Sequence, residues 1–220
     1  MIGLVLLLLA GCAAERRVVG NTFQSSFPQM NIRVDDHFKY LGKTSKTGQV
    51  KTMDGTRDIM TESEYYLFIP TNAKSHLQEF LMVHIQEIQT SWGSNSIYGN
   101  QRNLDYSMVD LHGEKYEYYS RIFTHSANWQ ARNYLFDSGH TLPSCLLLGG
   151  FERITHGKLM IGLYYYRDAT AYEMSCKNKY SKESLSSKEQ DGIQSLRQRA
   201  LRFFGGQDAE VPAQPLRKPE

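Results

Sequence analysis

The sequence has almost no net charge, and this excludes one broad class of function. Its 25 lysines and arginines nearly balance 23 aspartates and glutamates, so the formal net charge is only +2. A dedicated nucleic-acid-binding protein would carry a strong basic excess, so no nucleic-acid partner is expected. Hydrophobic residues make up 40% of the chain and charged residues 22%, which is typical of a folded protein rather than a disordered one.

The chain also lacks the compact motifs of common catalytic and cofactor sites. It has no HExxH pair of metal ligands, no GxSxG nucleophile elbow and no CxxC or CxxCH spacing. The two glycine pairs, Gly149-Gly150 and Gly205-Gly206, lack the spacing of a phosphate-binding loop. The sequence therefore predicts no catalytic residue, no metal site and no cofactor.

An apolar run occupies residues 2–10 at the start of the chain. The run is shorter than the roughly 20 residues that cross a bilayer, but it has the length of the hydrophobic part of an export signal. It ends in Leu9-Ala10-Gly11-Cys12, and these four residues resemble the lipobox of bacterial lipoproteins. The small residues before the cysteine suit a signal peptidase, and only a thiol can form the thioether bond to a lipid.

The resemblance to bacterial lipoproteins implies a processing route and a location. Cleavage before Cys12 would remove residues 1–11, and the cysteine would carry a diacylglycerol and usually a further acyl chain. Two or more acyl chains anchor a protein stably, so the membrane is an expected partner. Ala13 stands where the inner-membrane retention signal of the family has aspartate. The implied location is the bacterial cell envelope, at the outer membrane and facing the periplasm.

Only three cysteines are present, and the lipid would take one of them. Cys145 and Cys176 would then lie in an oxidising compartment, where disulfides form and persist. We predict a disulfide between them, which would close a loop of about 30 residues and contribute on the order of 3–4 kcal/mol. The alternative is that Cys145 is a catalytic nucleophile.

Alternating apolar residues predict a mainly antiparallel sheet. Residues 76–88 also fit a helical face, but their strand-forming side chains favour a strand. Residues 44–48 predict a turn and residues 93–103 a polar loop. The predicted strands are 30–41 (two short strands or one bulged strand), 65–69, 76–88, 104–110, 115–124 and, at the centre of the sheet, 158–167.

Two helices are predicted, a short one over residues 127–136 and a longer one near the C-terminus. Ser186 and Glu189 have the spacing of a capping box, and apolar residues then recur at helical spacing up to Gly205-Gly206. Three arginines near the end of this helix predict either a solvated face or a contact with anionic groups. The predicted fold class is α+β, a mainly antiparallel and possibly barrel-like sheet with a C-terminal amphipathic helix.

The chain is expected to contain one folded domain with short appendages. The predicted segments are a signal peptide at 1–11, a lipidated tether at 12–26, a single α+β domain at 27–205 and a disordered tail at 206–220.

Tyrosine is the one residue type in excess, with 14 copies. Its ring gives flat apolar area and its hydroxyl a polar tip, so tyrosines can line a pocket for a lipid, glycan or peptide. The same residues can instead be half-buried strand positions in the core. The candidate ligand-facing tyrosines are Tyr116, Tyr118, Tyr164 and Tyr166.

The leading hypothesis is a lipid-anchored, non-enzymatic envelope protein that acts as a binding or assembly module. Its candidate partners, besides the membrane, are another envelope protein, a glycan or a lipid. One alternative is a hydrolase that uses Cys145 or Ser138 with His140 or His156. Another is a carrier with a tyrosine-lined pocket.

His112 and His156 are each followed by glycine, so they are expected to be turn residues.

Overall fold

A computed structural model of the chain describes residues 14–51, 58–88, 103–178, 180 and 184–205. The signal peptide, Cys12, residues 93–102 of the predicted loop and the C-terminal tail lie outside the described residues. The strands are β1 (Arg16–Val19), β2 (Thr22–Ser26), β3 (Gln29–Arg33), β4 (Phe38–Lys51), β5 (Asp58–Pro70), β6 (Glu79–Ile88), β7 (Asp105–Leu111), β8 (Glu114–Phe123), β9 (Leu146–Thr155) and β10 (Leu159–Asp168). The α-helices are α1 (Gln130–Asp137) and α2 (Ser187–Gly205), and a short 3-10 helix follows β10 at Ala169–Tyr172.

Seven strands form one antiparallel sheet in the order β4-β5-β6-β10-β9-β8-β7. The predicted fold class is confirmed, and β10 lies at the centre of the sheet as its two apolar faces indicated. The sheet is not closed into a barrel, because β4 and β7 are its two edges. The predicted strand over residues 76–88 is confirmed as β6, and the predicted hairpin is confirmed as β7 and β8.

The turn predicted over residues 44–48 is wrong. These residues lie within β4, a 14-residue strand that pairs with β5 along its whole length. Their lysine, threonine, serine and glycine composition is common in turns, but an edge strand that faces solvent often carries the same polar residues.

The folded part of the chain begins before the predicted boundary at Phe27. β1 and β2 lie in the predicted tether, and they form a three-stranded antiparallel sheet with β3. Phe23 of β2 is 0% exposed, and its ring lies 4.7 Å from the ring of Tyr66. The assignment of residues 16–26 to a tether is therefore wrong. Phe23 is the one aromatic residue in this stretch, and a single aromatic residue is too weak a pattern to predict two strands.

The long helix α2 covers one face of the seven-stranded sheet. Phe203 packs edge-on against Tyr165 of β10, and Phe204 lies near Phe151 of β9. Within the described ranges, no helix combines the length and the apolar character that a membrane span requires. The buried residues of α2 are Gly192, Ile193, Leu196, Ala200, Leu201, Phe203 and Phe204.

The capping box predicted at the start of α2 is confirmed. The backbone N–H and the hydroxyl of Ser186 each donate to Glu189 Oε2 at 2.8 Å. The backbone N–H of Glu189 donates in return to Ser186 Oγ at 3.3 Å. Two helix-terminal N–H groups are satisfied in this way.

Replacement of Ser186 with alanine should lower the free energy of unfolding by about 1 kcal/mol, because Glu189 N–H loses its acceptor. Urea denaturation measures the change. Ser187→Ala is the matched control, since its exposed side chain lies one residue inside the helix. Equal losses in the two variants would contradict a capping role for Ser186.

The predicted disulfide between Cys145 and Cys176 is present, with the two Cα atoms 5.5 Å apart. It connects the residue before β9 to the segment between the 3-10 helix and α2. Cys145 is therefore not a free nucleophile in this structure.

Candidate functional site

A cavity of about 380 Å³ lies on the face of the sheet opposite α2. Its floor consists of side chains from β5, β6, β8, β9 and β10, and residues 124–130 form a wall beside α1. The volume is in the range of small-molecule binding sites. The cavity is therefore the main candidate for a functional site.

Strand register places several floor residues in one line across the sheet. Tyr65 of β5 pairs with His84 of β6, His84 pairs with Gly162 of β10, and Gly162 pairs with Glu152 of β9. Paired residues in neighbouring strands point to the same face. Tyr65, His84 and Glu152 therefore share the floor of the cavity. Gly162, which has no side chain, lies between His84 and Glu152.

Two strand glycines make room for two tyrosine rings on this floor. A Cβ atom at Gly162 would lie 2.4 Å from ring atoms of Tyr164, and one at Gly150 would lie 3.1 Å from the ring of Tyr119. A glycine inside a strand often marks such a close approach. Because the rings lie over the glycines, the hydroxyls of Tyr119 and Tyr164 converge on Glu152.

Glu152 is a buried carboxyl group at the cavity floor, with only 2% of its surface exposed. Tyr119 Oη donates to its Oε1 atom at 2.6 Å, and Tyr164 Oη donates to the same oxygen. Its other oxygen, Oε2, has no hydrogen-bond partner among the described residues. Burial raises the pKa of Glu152 to about 7, although the two tyrosine hydroxyls and the nearby Arg121 act in the opposite direction.

His84 is the second buried polar group of the cavity, with 9% of its surface exposed. Its ring stacks on the ring of Tyr65, with a centroid distance of 4.5 Å and an angle of 9°. Within the described part of the chain, Nε2 has no hydrogen-bond partner. Burial lowers the pKa of His84 to about 3, so the ring is neutral at physiological pH.

Aromatic and cationic side chains complete the lining. The ring of Trp129 lies 5.3 Å from that of Tyr166 and forms an aromatic wall. Lys46 and Arg121 bring positive charge from β4 and β8. Gln130, the first residue of α1, donates to Thr44 Oγ1 at 2.9 Å and ties the wall to the sheet.

The four candidate tyrosines separate into two pairs. Tyr164 and Tyr166 line the cavity. Tyr116 and Tyr118 lie on the opposite face in the core cluster under α2, where Tyr118 is 0% exposed. The prediction that Tyr116 and Tyr118 face a ligand is corrected, because α2 covers the face of β8 to which they point.

Sequence reasoning missed Glu152 and His84. His84 lies inside an apolar run, between Val83 and Ile85, whereas Glu152 follows one and stands between Phe151 and Arg153. A titratable residue inside an apolar run is a candidate for a buried or cavity-lining position, so this pattern could have identified His84 but not Glu152. The alternation of the tyrosines alone could identify neither residue.

Among the described residues, the structure shows no hydrogen-bonded pair of a nucleophile and a histidine for the hydrolase alternative. Cys145 is in the disulfide, and His140 Nδ1 lies 3.2 Å from the carbonyl oxygen of Lys74. Among the described residues, Ser138 Oγ has no hydrogen bond to a histidine. His156 lies in the turn after β9, about 30 Å along that strand from Cys145.

His112 and His156 are confirmed as turn residues, since both adopt left-handed backbone angles, with φ of 55° and 52°.

Arg197 and Arg199 of α2 contact carboxylates of the same chain, Asp105 and Glu79, each at 3.5 Å. In the described ranges, no group of three or more histidine, cysteine, aspartate or glutamate side chains could hold a metal ion.

Comparisons with protein families, with curated proteins and with solved structures find no match for this chain. Its function is therefore inferred from the cavity and from the sequence.

Proposed function

We propose that this chain is a lipid-anchored binding protein of a bacterial cell envelope, and that the cavity is its ligand site. The observation that carries the binding function is the buried carboxyl group of Glu152, which lines the cavity and has one oxygen without a hydrogen-bond partner among the described residues. A buried acceptor without a partner costs about 1–3 kcal/mol. A ligand that donates to Oε2 would remove that cost.

The two buried polar groups of the cavity floor are too far apart to contact each other. His84 and Glu152 are separated by the β10 strand, which places them about 10 Å apart at two strand spacings. Two side chains exchange a proton directly only within hydrogen-bond reach of each other or of one bridging water, so His84 and Glu152 do not form a coupled pair. These two groups instead suit separate contacts with one ligand.

The lipobox-like residues and the disulfide support an exported, anchored protein. Disulfides persist in oxidising compartments such as the periplasm. β1 begins at Arg16, four residues after Cys12, and four extended residues span at most about 14 Å. A lipidated Cys12 would therefore hold the folded domain close to the membrane surface.

Expression in a bacterium should yield a mature protein that begins at an acylated Cys12 and sediments with membranes. Intact-mass spectrometry of the membrane fraction measures the modification. The Cys12→Ser variant is the control and should lack the lipid. A wild-type mature chain that starts elsewhere without a lipid would contradict the anchoring proposal.

Native mass spectrometry of the protein purified from its own host tests the binding function. We expect a small molecule to co-purify with the wild type and to be lost from Glu152→Gln. Glu62→Gln replaces an exposed carboxylate in β5, outside the lining of the cavity, and should retain the ligand. A bound molecule that both variants retain would place the ligand outside this cavity.

A further inference from the structure

We propose that the cavity binds a saccharide, with sugar hydroxyls at Glu152 and His84 and a sugar face against the ring of Trp129. This inference rests on the proposed binding function and specifies the class of its ligand.

The lining of the cavity reaches across most of the sheet. Its lining reaches from Lys46 on β4 to Arg121 on β8, and these are six neighbouring strands in the sheet order. At about 4.8 Å per strand, the distance along the sheet is about 24 Å. A lining of this width, around a volume of about 380 Å³, has room for a chain of linked rings.

Glu152 Oε2 and His84 Nε2, which have no hydrogen-bond partner within the described ranges, favour hydroxyl groups on the ligand. Glu152 Oε2 can accept a hydrogen bond when the carboxyl group is ionised, and His84 Nε2 donates or accepts according to the tautomer of the neutral ring. A hydroxyl can donate and accept. One kind of ligand group, repeated along the molecule, therefore satisfies both positions.

The distribution of charge disfavours ligands of a single sign. An organic cation would meet the like charges of Lys46 and Arg121, and an anion would meet the carboxyl group of Glu152, which is negative when ionised. Hydroxyl groups can pair with side chains of either sign. A neutral saccharide therefore fits the lining without a buried unpaired charge.

The aromatic side chains offer a surface for the apolar face of a sugar. Trp129 and Tyr65 are both half-buried, so part of each remains accessible. The ring of Trp129 is held by Phe123 and Tyr166, at centroid distances of 5.0 and 5.3 Å. Rigid aromatic rings beside hydrogen-bonding groups are suited to ligands that are apolar on one side and polar at the edges.

Titration of the ¹⁵N-labelled protein with neutral trisaccharides of different linkage, followed by NMR, tests the proposal. At least one sugar should shift resonances of β6, β9, β10 and residues 124–130. Glu152→Gln should weaken that binding at least tenfold, because it loses a charge-assisted hydrogen bond. Trp129→Ala should also weaken it tenfold or more, and Glu62→Gln should leave it unchanged.

An alanine tripeptide and a polyamine serve as counter-probes in the same titration. Shifts at the cavity with either of these, and none with any saccharide, would overturn the saccharide class while the binding function stands. Saccharide binding that survives both Glu152→Gln and Trp129→Ala would overturn the assignment to this cavity. If no probe binds, the saccharide class fails, and the co-purification experiment decides the binding function separately.

Discussion

Replacement of Cys145 and Cys176 with alanine is expected to lower the free energy of unfolding by about 3–4 kcal/mol. The bond closes a loop with a sequence separation of 31 residues, and without it the unfolded chain regains the conformational freedom of that loop. Domains of this size are stable by only about 5–15 kcal/mol, so the loss is a large share of the total. Urea denaturation of oxidised wild type and of the double variant measures it.

Reduction of the wild-type protein provides the control for the disulfide experiment. Reduced wild type should unfold close to the double variant, because both lack the covalent link while their side chains differ by little more than two sulfur atoms. The slope of the unfolding free energy against urea should also rise in both, since an unlinked chain exposes more surface when it unfolds. Coincident midpoints for oxidised wild type and the variant would show that the bond adds no stability.

The elements that the sequence predicted well are those in which local and long-range preferences agree. The hairpin of β7 and β8 has alternating side chains on both sides of His112 and Gly113, which adopt the positive φ angles of the turn. α2 begins at a capping box and presents its apolar residues to the sheet. In these regions a short window contains all of the signals that define the structure.

The elements that were missed depend on partners that are distant in the sequence. β4 is polar over residues 44–48, and its pairing with β5 rather than its composition makes it a strand. β1 and β2 are short, and the small sheet is held by contacts with distant residues, such as the contact of Phe23 with the ring of Tyr66 of β5. A window of ten residues cannot contain such a contact.

The candidate site was predictable only in part, for a similar reason. Alternation correctly placed Tyr164 and Tyr166 on one face of β10, and it placed Tyr116 and Tyr118 on one face of β8. It could not show which face of the sheet α2 covers, and that decides which tyrosines reach the cavity.

Glu152→Gln and His84→Phe are expected to change the pH dependence of stability in opposite directions. The raised pKa of Glu152, about 7, means that the folded state binds its proton more tightly than the unfolded state does. The stability that this provides is present below the unfolded pKa near 4.5 and is lost as the pH rises through 7. The lowered pKa of His84, about 3, has the opposite effect: its contribution is present above the unfolded pKa near 6.5 and is lost as the pH falls.

The two contributions nearly cancel in wild type between about pH 5 and pH 8. Over that range Glu152 should destabilise the fold by about 2–3 kcal/mol as the pH rises, and His84 should stabilise it by about 2 kcal/mol. Glu152→Gln should therefore be about 2 kcal/mol more stable at the higher pH than at the lower. His84→Phe, which keeps a ring to stack on Tyr65, should be about 2–3 kcal/mol less stable at the higher pH.

Urea denaturation of wild type and both variants at the two pH values separates these effects from those of other groups. Burial alone would raise the pKa of Glu64 and Glu79, but hydrogen bonds and nearby cations outweigh it and lower both. Their contribution is lost mainly as the pH falls below about 4.5, outside the range compared. Parallel pH profiles for wild type and both variants would contradict the assignment of these shifts to Glu152 and His84. Profiles of opposite slope for the two variants would show that the cavity floor holds two buried groups with opposite effects on the pH dependence of stability.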